Sequence, residues 1–176
     1  SFVLTEEFKQ TLDLIETTEQ NVFITGKAGT GKSTLIELIR QHVNKKIVVL
    51  APTGLSAINV RGQTIHSFFH LPPRLITRDQ IRKIYNDRIF KDIDAVIIDE
   101  ISMVRADVID GIDQSLRIHG KDKNLPFGGT QMIFVGDVYQ LPPVLRQEES
   151  HVFNQLYESP YFFSADSFHT RDFVFI

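Results

Sequence analysis

The stretch Gly26-Lys27-Ala28-Gly29-Thr30-Gly31-Lys32-Ser33 fits the spacing G-x-x-x-x-G-K-[ST] and limits this chain more than any other segment. It follows an apolar run, Val22-Phe23-Ile24, and opens a helical one, Leu35, Ile36, Leu38 and Ile39. A phosphate chain must be met by several inward-pointing backbone N–H groups at close range, and only residues without side chains leave room for that. Gly26, Gly29 and Gly31 supply the room, and the start of the following helix adds partial positive charge. Lys32 then reaches the β- and γ-phosphates, and the Ser33 hydroxyl is placed to hold Mg²⁺. Gly26, Ala28, Gly29, Thr30, Gly31, Lys32, Ser33 and Thr34 therefore form a candidate nucleotide site. An accidental glycine-rich turn is the alternative, and the strand–loop–helix context speaks against it. Guanine readers usually show N-K-x-D; Asn44-Lys45-Lys46-Ile47 lacks the Asp, so ATP is the expected nucleotide.

The rest of the chain reads as the sheet such a loop needs. Asn21–Thr25, Lys46–Leu50, Ala95–Ile98 and Gln131–Val135 are short, nearly continuous apolar runs alternating with helical patterns. That arrangement predicts an α/β fold, a parallel sheet covered by helices on both faces, with its functional loops at the strands' carboxyl ends. Thr5 is expected to cap a helix carrying Phe8, Leu12 and Ile15 inward. Thr64 to Phe69 reads as a short helical or irregular piece, a polar helix is expected from about Arg78 to Phe90, and another from Val104 to Ile118, weakened by Gly111. The phenylalanine-rich tail from Gln147 must pack on the sheet or face a partner domain. With 176 residues, one domain is the natural count. No apolar run is long enough to span a bilayer, and Ser1-Phe2-Val3-Leu4 shows no signal-peptide pattern. The absence of cysteine excludes disulfides and thiolate metal sites and is compatible with a reducing cytoplasm.

Val96-Ile97-Ile98-Asp99-Glu100 is a strand that ends in two carboxylates. Asp99 can share the Mg²⁺ held by Ser33, usually through a water, and Glu100 can orient and deprotonate an attacking water. Two solvated acids at a strand end are common by themselves; an upstream phosphate loop makes the catalytic reading the stronger one. After the fourth strand comes Gly136-Asp137-Val138-Tyr139-Gln140-Leu141-Pro142-Pro143, where Gln140 can bond a γ-phosphate oxygen or the lytic water. The two prolines stiffen the chain just beyond Gln140.

Residues 61 to 91 carry Arg61, Arg74, Arg78, Arg82, Lys83, Arg88 and Lys91 against Asp79 and Asp87, in a chain whose net charge is −3. Beside them lie Thr53, Thr64, His66 and Ser67, short donors suited to phosphates, and Phe68, which could stack on a base. A solvated basic helix with Phe68 and Phe69 in the core fits the same residues.

Five segments then occur in order: the phosphate loop; Ala51-Pro52-Thr53-Gly54-Leu55-Ser56-Ala57-Ile58-Asn59; Gly62-Gln63-Thr64-Ile65-His66-Ser67-Phe68-Phe69; Asp99-Glu100-Ile101-Ser102-Met103-Val104; and Gly136-Asp137 with Gln140-Leu141-Pro142-Pro143-Val144. Together they resemble the Pif-type (petite integration frequency) DNA helicases of superfamily one, relatives of the RecD helicases. The resemblance implies the first RecA-like motor domain of an ATP-driven 5′→3′ helicase acting in replication, recombination or repair. It implies that the fourth strand lies between the phosphate-loop strand and the Asp99 strand. By the same resemblance Lys32, Ser33, Asp99, Glu100 and Gln140 serve ATP and Mg²⁺, while Thr53, Gly54, Thr64, His66 and Ser67 line a single-stranded DNA path. Residues from about Leu71 to Asp92 fall where that family places a small duplex-splitting wedge. Its location would be the bacterial cytoplasm, or the nucleus or mitochondrion of a eukaryote, as a monomer. Family members tend to read adenine with a Gln in L-x-x-E-Q; here Phe8 follows Leu4-Thr5-Glu6-Glu7, and the nearest glutamine is Gln10. The family also continues into a second motor domain, which supplies arginines to the transition state. The expectation is that this chain alone binds ATP, hydrolyses it slowly and does not unwind DNA. The competing readings are a P-loop ATPase that remodels proteins or acts as a switch, against which the segment Gly54 to Phe69 and the basic stretch count, and a small-molecule kinase, for which no substrate lid is visible.

Overall fold

The computed structural model describes residues 5–26, 31–137, 143, 145–169 and 172–176. Six parallel strands form one sheet in the order β3-β2-β4-β5-β1-β6. They are β1 (Asn21–Thr25), β2 (Ile47–Ala51), β3 (Gln63–Thr64), β4 (Ala95–Ile98), β5 (Gln131–Gly136) and β6 (Phe173–Phe175). The fourth strand expected from sequence, β5, does lie between the phosphate-loop strand and the Asp99 strand: Thr25 pairs with Gly136 and Ile98 with Phe134. All six point the same way, so their carboxyl ends share one rim.

Alternation along the strands sorts side chains onto two faces. On one, Val22, Ile24, Val49, Ile97, Ile133 and Val135 pack under α1 (Glu6–Thr17), α2 (Lys32–His42) and α3 (Gly54–Asn59). On the other, Phe23, Leu50, Val96, Ile98, Met132 and Phe134 meet α4 (Ile65–Phe69), α5 (Arg88–Asp92), α6 (Ala106–His119) and the tail that begins with α7 (Gln147–Leu156). Thr5 caps α1, its hydroxyl accepting from the Phe8 amide at 3.3 Å. The tail does cover the sheet. Phe162 stacks on Phe23 with ring centroids 5.5 Å apart, and Phe168 and Phe173 lie against Phe134 at 6.2 and 4.9 Å. Each fully buried ring is worth roughly 1.5–3 kcal/mol of transfer free energy.

Two expectations need correction. The polar helix expected over 78–90 is not one helix: a 3₁₀ turn at Arg78–Gln80 closes on Thr77, irregular chain comes next, and only Arg88–Asp92 is α-helical. Ile81 and Phe90 of that stretch, with Ile76 just before it, are buried individually against α6, while Ile89 is exposed. Gly111 explains why they fit. A Cβ there would come within 3.2 Å of Ile76 Cγ2 and 3.6 Å of Leu71 Cδ2, so the glycine that weakens α6 makes room for the segment lying on it. Second, β3 and β6 were not foreseen, since runs of two and three residues carry no readable alternation.

Helix α6 is buried nearly all round, and its polar residues are matched. Asp107, Asp110 and Asp113 are at most 2% exposed. Asp110 accepts from the Tyr157 hydroxyl at 2.7 Å and from the Ser167 amide and hydroxyl at 2.9 and 2.6 Å. Asp113 accepts from Arg78, Arg117 and the Phe127 amide. Burial and the neighbouring carboxylates push the Tyr157 phenol far above its ordinary value, which keeps it a donor.

Candidate active site and nucleic-acid interface

Three loops meet at the rim formed by β1, β5 and β4. Gly26 follows Thr25 on β1, Asp137 follows Gly136 on β5, and Asp99 follows Ile98 on β4. Gly31 sits at φ +92°, in the left-handed region that favours glycine, and turns the chain into α2. Lys32 begins that helix, its ammonium donating to the Gly26 carbonyl across the mouth of the loop. Ser33 lies on the exposed side of the first turn. Lys27, Ala28, Gly29 and Thr30, four of the loop residues, lie outside the described residues, as does Gln140.

Asp99 is 8% exposed, anchored by its own amide to the Leu50 carbonyl at 2.9 Å. Burial pushes its carboxyl above the ordinary value. A hydrogen bond from the Glu100 backbone opposes the rise, the Glu100 charge adds to it, and the Lys32 ammonium pulls it back. Lys32 and Asp99, far apart in sequence, thus share one electrostatic site. Glu100 stands at φ +53°, ψ +45°, an uncommon conformation for a residue with a side chain. The 3₁₀ turn Ile101–Met103 locks it there, the Met103 amide donating to the Glu100 carbonyl at 3.0 Å. Gly136 touches the same turn: a Cβ would lie 2.9 Å from Ile101 Cγ2 and 3.0 Å from the Ile101 nitrogen. The start of the loop that carries Gln140 therefore abuts the Glu100 turn.

Beside the phosphate loop lies a cavity of about 190 Å³ lined by Glu7, Phe8, Thr11, Leu35 and Ile176. Phe8 takes the place next to Gly31, its Cζ 3.6 Å from where a Cβ would be. Gln10 is exposed and does not line this cavity, so the described residues give it no part in reading a base.

Along the same rim, at β2 and β3, stand the residues expected to meet DNA. Thr53 caps α3, accepting from the Ser56 amide at 3.1 Å, and Thr64 caps α4, accepting from the Ser67 amide at 3.2 Å. Gly54 and Ser67 are exposed, and His66 is half-buried. Burial holds the His66 imidazole below its ordinary pKa, helped by the Arg105 charge and resisted by Asp107. Phe68 is the correction. It is 7% exposed, set edge-on to Phe69 and Phe90 with centroids 4.9 and 5.2 Å away, so its ring packs in the core rather than waiting for a base.

The basic stretch also divides. Arg61 pairs with Glu37, and Arg78 is committed to Asp110 and Asp113. Arg74, Arg82, Lys83, Arg88 and Lys91 remain exposed. Arg82, Lys83 and the fully exposed Tyr85 border a cleft of about 690 Å³ whose other wall includes Gln63, Ser67 and His70. Sequence reasoning passed over Tyr85, although an aromatic among cations was the available signal.

A model of the PIF1-like helicases matches residues 3–165. The chain belongs to the PIF1-like helicase family. Within it, the yeast (Saccharomyces cerevisiae) ATP-dependent DNA helicase RRM3 is 37% identical over 167 residues, 89% of this chain and 23% of the yeast protein. Pif1 of Campylobacter jejuni is 39% identical over 168 residues, 88% of this chain and 35% of that protein. Among solved structures, Bacteroides sp Pif1 in complex with ADP-AlF4 aligns with a TM-score of 0.89 at 38% identity, over 100% of this chain and 42% of that one. Bacteroides Pif1 bound to ssDNA aligns with a TM-score of 0.87 at 39% identity, over 99% and 42%. The fold is thus the RecA-like one of this family, and this chain spans well under half the length of these relatives.

Proposed function

We propose that this chain is the ATP-binding motor unit of an ATP-dependent 5′→3′ DNA helicase that works on single-stranded DNA. The observation that carries the reading is the meeting of Lys32, Asp99, the Glu100 turn and Gly136 at one rim of the sheet. Relatives crystallised with ADP-AlF4 and with ssDNA support it.

In this reading the ammonium of Lys32 neutralises the β/γ-phosphates, while first-turn amides of α2 meet their oxygens. The Ser33 hydroxyl and the Asp99 carboxylate are hard oxygen donors of the kind Mg²⁺ takes, and the buried, charge-hungry Asp99 fits a cation. Bound there, Mg²⁺ would offset charge on the phosphates. Glu100, held rigidly by its turn, accepts the proton of the attacking water. Gln140, outside the described residues, is assigned to the γ-phosphate. A second motor domain of the full protein would complete the site with arginine, worth ~10³–10⁵ in rate where such a residue acts. Thr53, Gly54, Thr64, His66 and Ser67 would follow the strand's phosphates, next to the cations around Tyr85. The segment 71–92 is assigned as the wedge.

Glu100→Gln tests the reading. ATP binding should persist, measured with a fluorescent ATP analogue, while turnover falls by about 10²–10⁴-fold. Unchanged turnover would remove Glu100 from the role.

A further inference from the structure

Arg105 ties the start of α6 to α7 beside the 71–92 segment. It comes just after the 3₁₀ turn Ile101–Met103, whose Ile101 and Ser102, like Val104 after it, are at most 2% exposed. Its Nε and Nη2 donate to the two oxygens of Asp107 at 3.0 Å each, and its Nη1 donates to Glu149 Oε2 at 3.3 Å. Those carboxylates have second partners. Asp107 Oδ2 accepts from the Ile76 amide at 2.8 Å, and Glu149 Oε1 accepts from the Leu75 amide at 3.0 Å. Two successive amides at the start of the 71–92 segment are therefore held by the two acids that grip Arg105. His66 stands within the field of Arg105 and Asp107. The side chains are nearly dry: Asp107 is 0%, Glu149 13% and Arg105 16% exposed.

We propose that Arg105 is a positioning residue that couples the Glu100 turn to the Leu75–Ile76 end of the segment beside the DNA path, so that DNA stimulates ATP turnover through the Arg105–Asp107 and Arg105–Glu149 pairs. A buried, bidentate guanidinium with a second carboxylate is rigid and directional, so a displacement of either side chain is felt at the other end. The chain behind Arg105 is short, internally hydrogen-bonded and packed, and gives little slack before Glu100. The rest of the network isolates the point. Arg78 fastens the same segment to α6 through Asp110 and Asp113, farther along that helix, and none of its hydrogen bonds goes to Asp107 or Glu149. Arg78 serves stability; Arg105 serves stability and signal.

The inference rests on the function proposed above, and one experiment separates the two. In the full-length protein, steady-state ATPase is measured with and without a short single-stranded oligonucleotide for the unaltered protein, Arg105→Lys, Glu149→Gln and Arg78→Gln. Melting temperature and oligonucleotide affinity are read in parallel. Glu149→Gln retains an acceptor for the Leu75 amide while removing the charge facing Arg105, and Arg105→Lys retains charge but cannot span both acids. Both should lose about tenfold in the ratio of stimulated to basal kcat, a coupling of ordinary size, with KM for ATP unmoved. Arg78→Gln should lower the melting temperature and leave the ratio intact. A ratio unchanged in Glu149→Gln and Arg105→Lys, or lost equally in Arg78→Gln, overturns the coupling. Absence of DNA stimulation in the unaltered protein overturns the helicase reading instead.

Discussion

Gly136 and His66 show how single residues carry the site. Because Gly136 faces the Ile101 nitrogen as well as the stiff, β-branched Cγ2 of Ile101, the methyl of Gly136→Ala has nowhere to go without moving β5 or the Glu100 turn. The variant should lose roughly 1–3 kcal/mol in urea unfolding, the usual range for overpacking, and its turnover should fall with it. A stability within about 0.3 kcal/mol of the parent, the scatter of independent sites, would mean the turn yields easily. His66 gives a pH prediction. Burial, aided by Arg105, sets its folded pKa below the unfolded value near ~6.5. Between those values the unfolded chain binds more protons, so stability is full above that unfolded value and falls as pH drops below it. Urea midpoints at successive pH values should show this acid-side decline shrinking in His66→Gln. An NMR titration placing His66 at or above its ordinary pKa would contradict it.

At the level of elements, α6 is where sequence and structure part most instructively. Its apolar period through Val108, Ile112 and Leu116 was readable and correct. Asp107, Asp110 and Asp113 occupy the remaining face and drew no reading from the sequence, because nothing local says that three separate segments will lie across it. Their partners come from residues 75–78, 127 and 157–167, contacts of long range that a periodic pattern cannot announce. The same blindness made a helix of 78–90: its isoleucines have helical spacing, but Ile81 is buried by a tertiary neighbour, Ile84 only partly, and Ile89 is exposed. The rim was legible for the opposite reason. Lys32, Ser33, Asp99 and Glu100 stand at or beside the turns that follow β1 and β4, and a parallel sheet leaves such turns one rim to share. Asp113→Ala would leave the Phe127 amide without its acceptor and take one of several partners from the part-exposed Arg78 and Arg117, and should cost about 1–3 kcal/mol, as an unpaired buried donor does. Calorimetry on the folded chain reads this directly; a loss below about 1 kcal/mol, the range of exposed pairs, would show that water reaches the network.

The whole molecule is mildly acidic, yet the exposed cations Arg74, Arg82 and Lys83 line adjoining clefts that share His70 and Gln80. An oligonucleotide titration should therefore show affinity that drops with added salt, the log–log slope near about −0.7 per phosphate neutralised. Arg82→Ala with Lys83→Ala should flatten that slope by about one to two phosphates' worth. Binding insensitive to salt would place the strand elsewhere.

The narrow ribbon Phe173–Phe175 has a practical meaning. It pairs along β1, and Ile176 receives both the amide and the hydroxyl of Thr25, the last strand residue before the glycine-rich turn. Anyone trimming this polypeptide for crystals or assays should keep those final residues. Without them, the unzipped margin of β1 becomes a template for intermolecular pairing, and the nucleotide cradle loses the splint along its outer side.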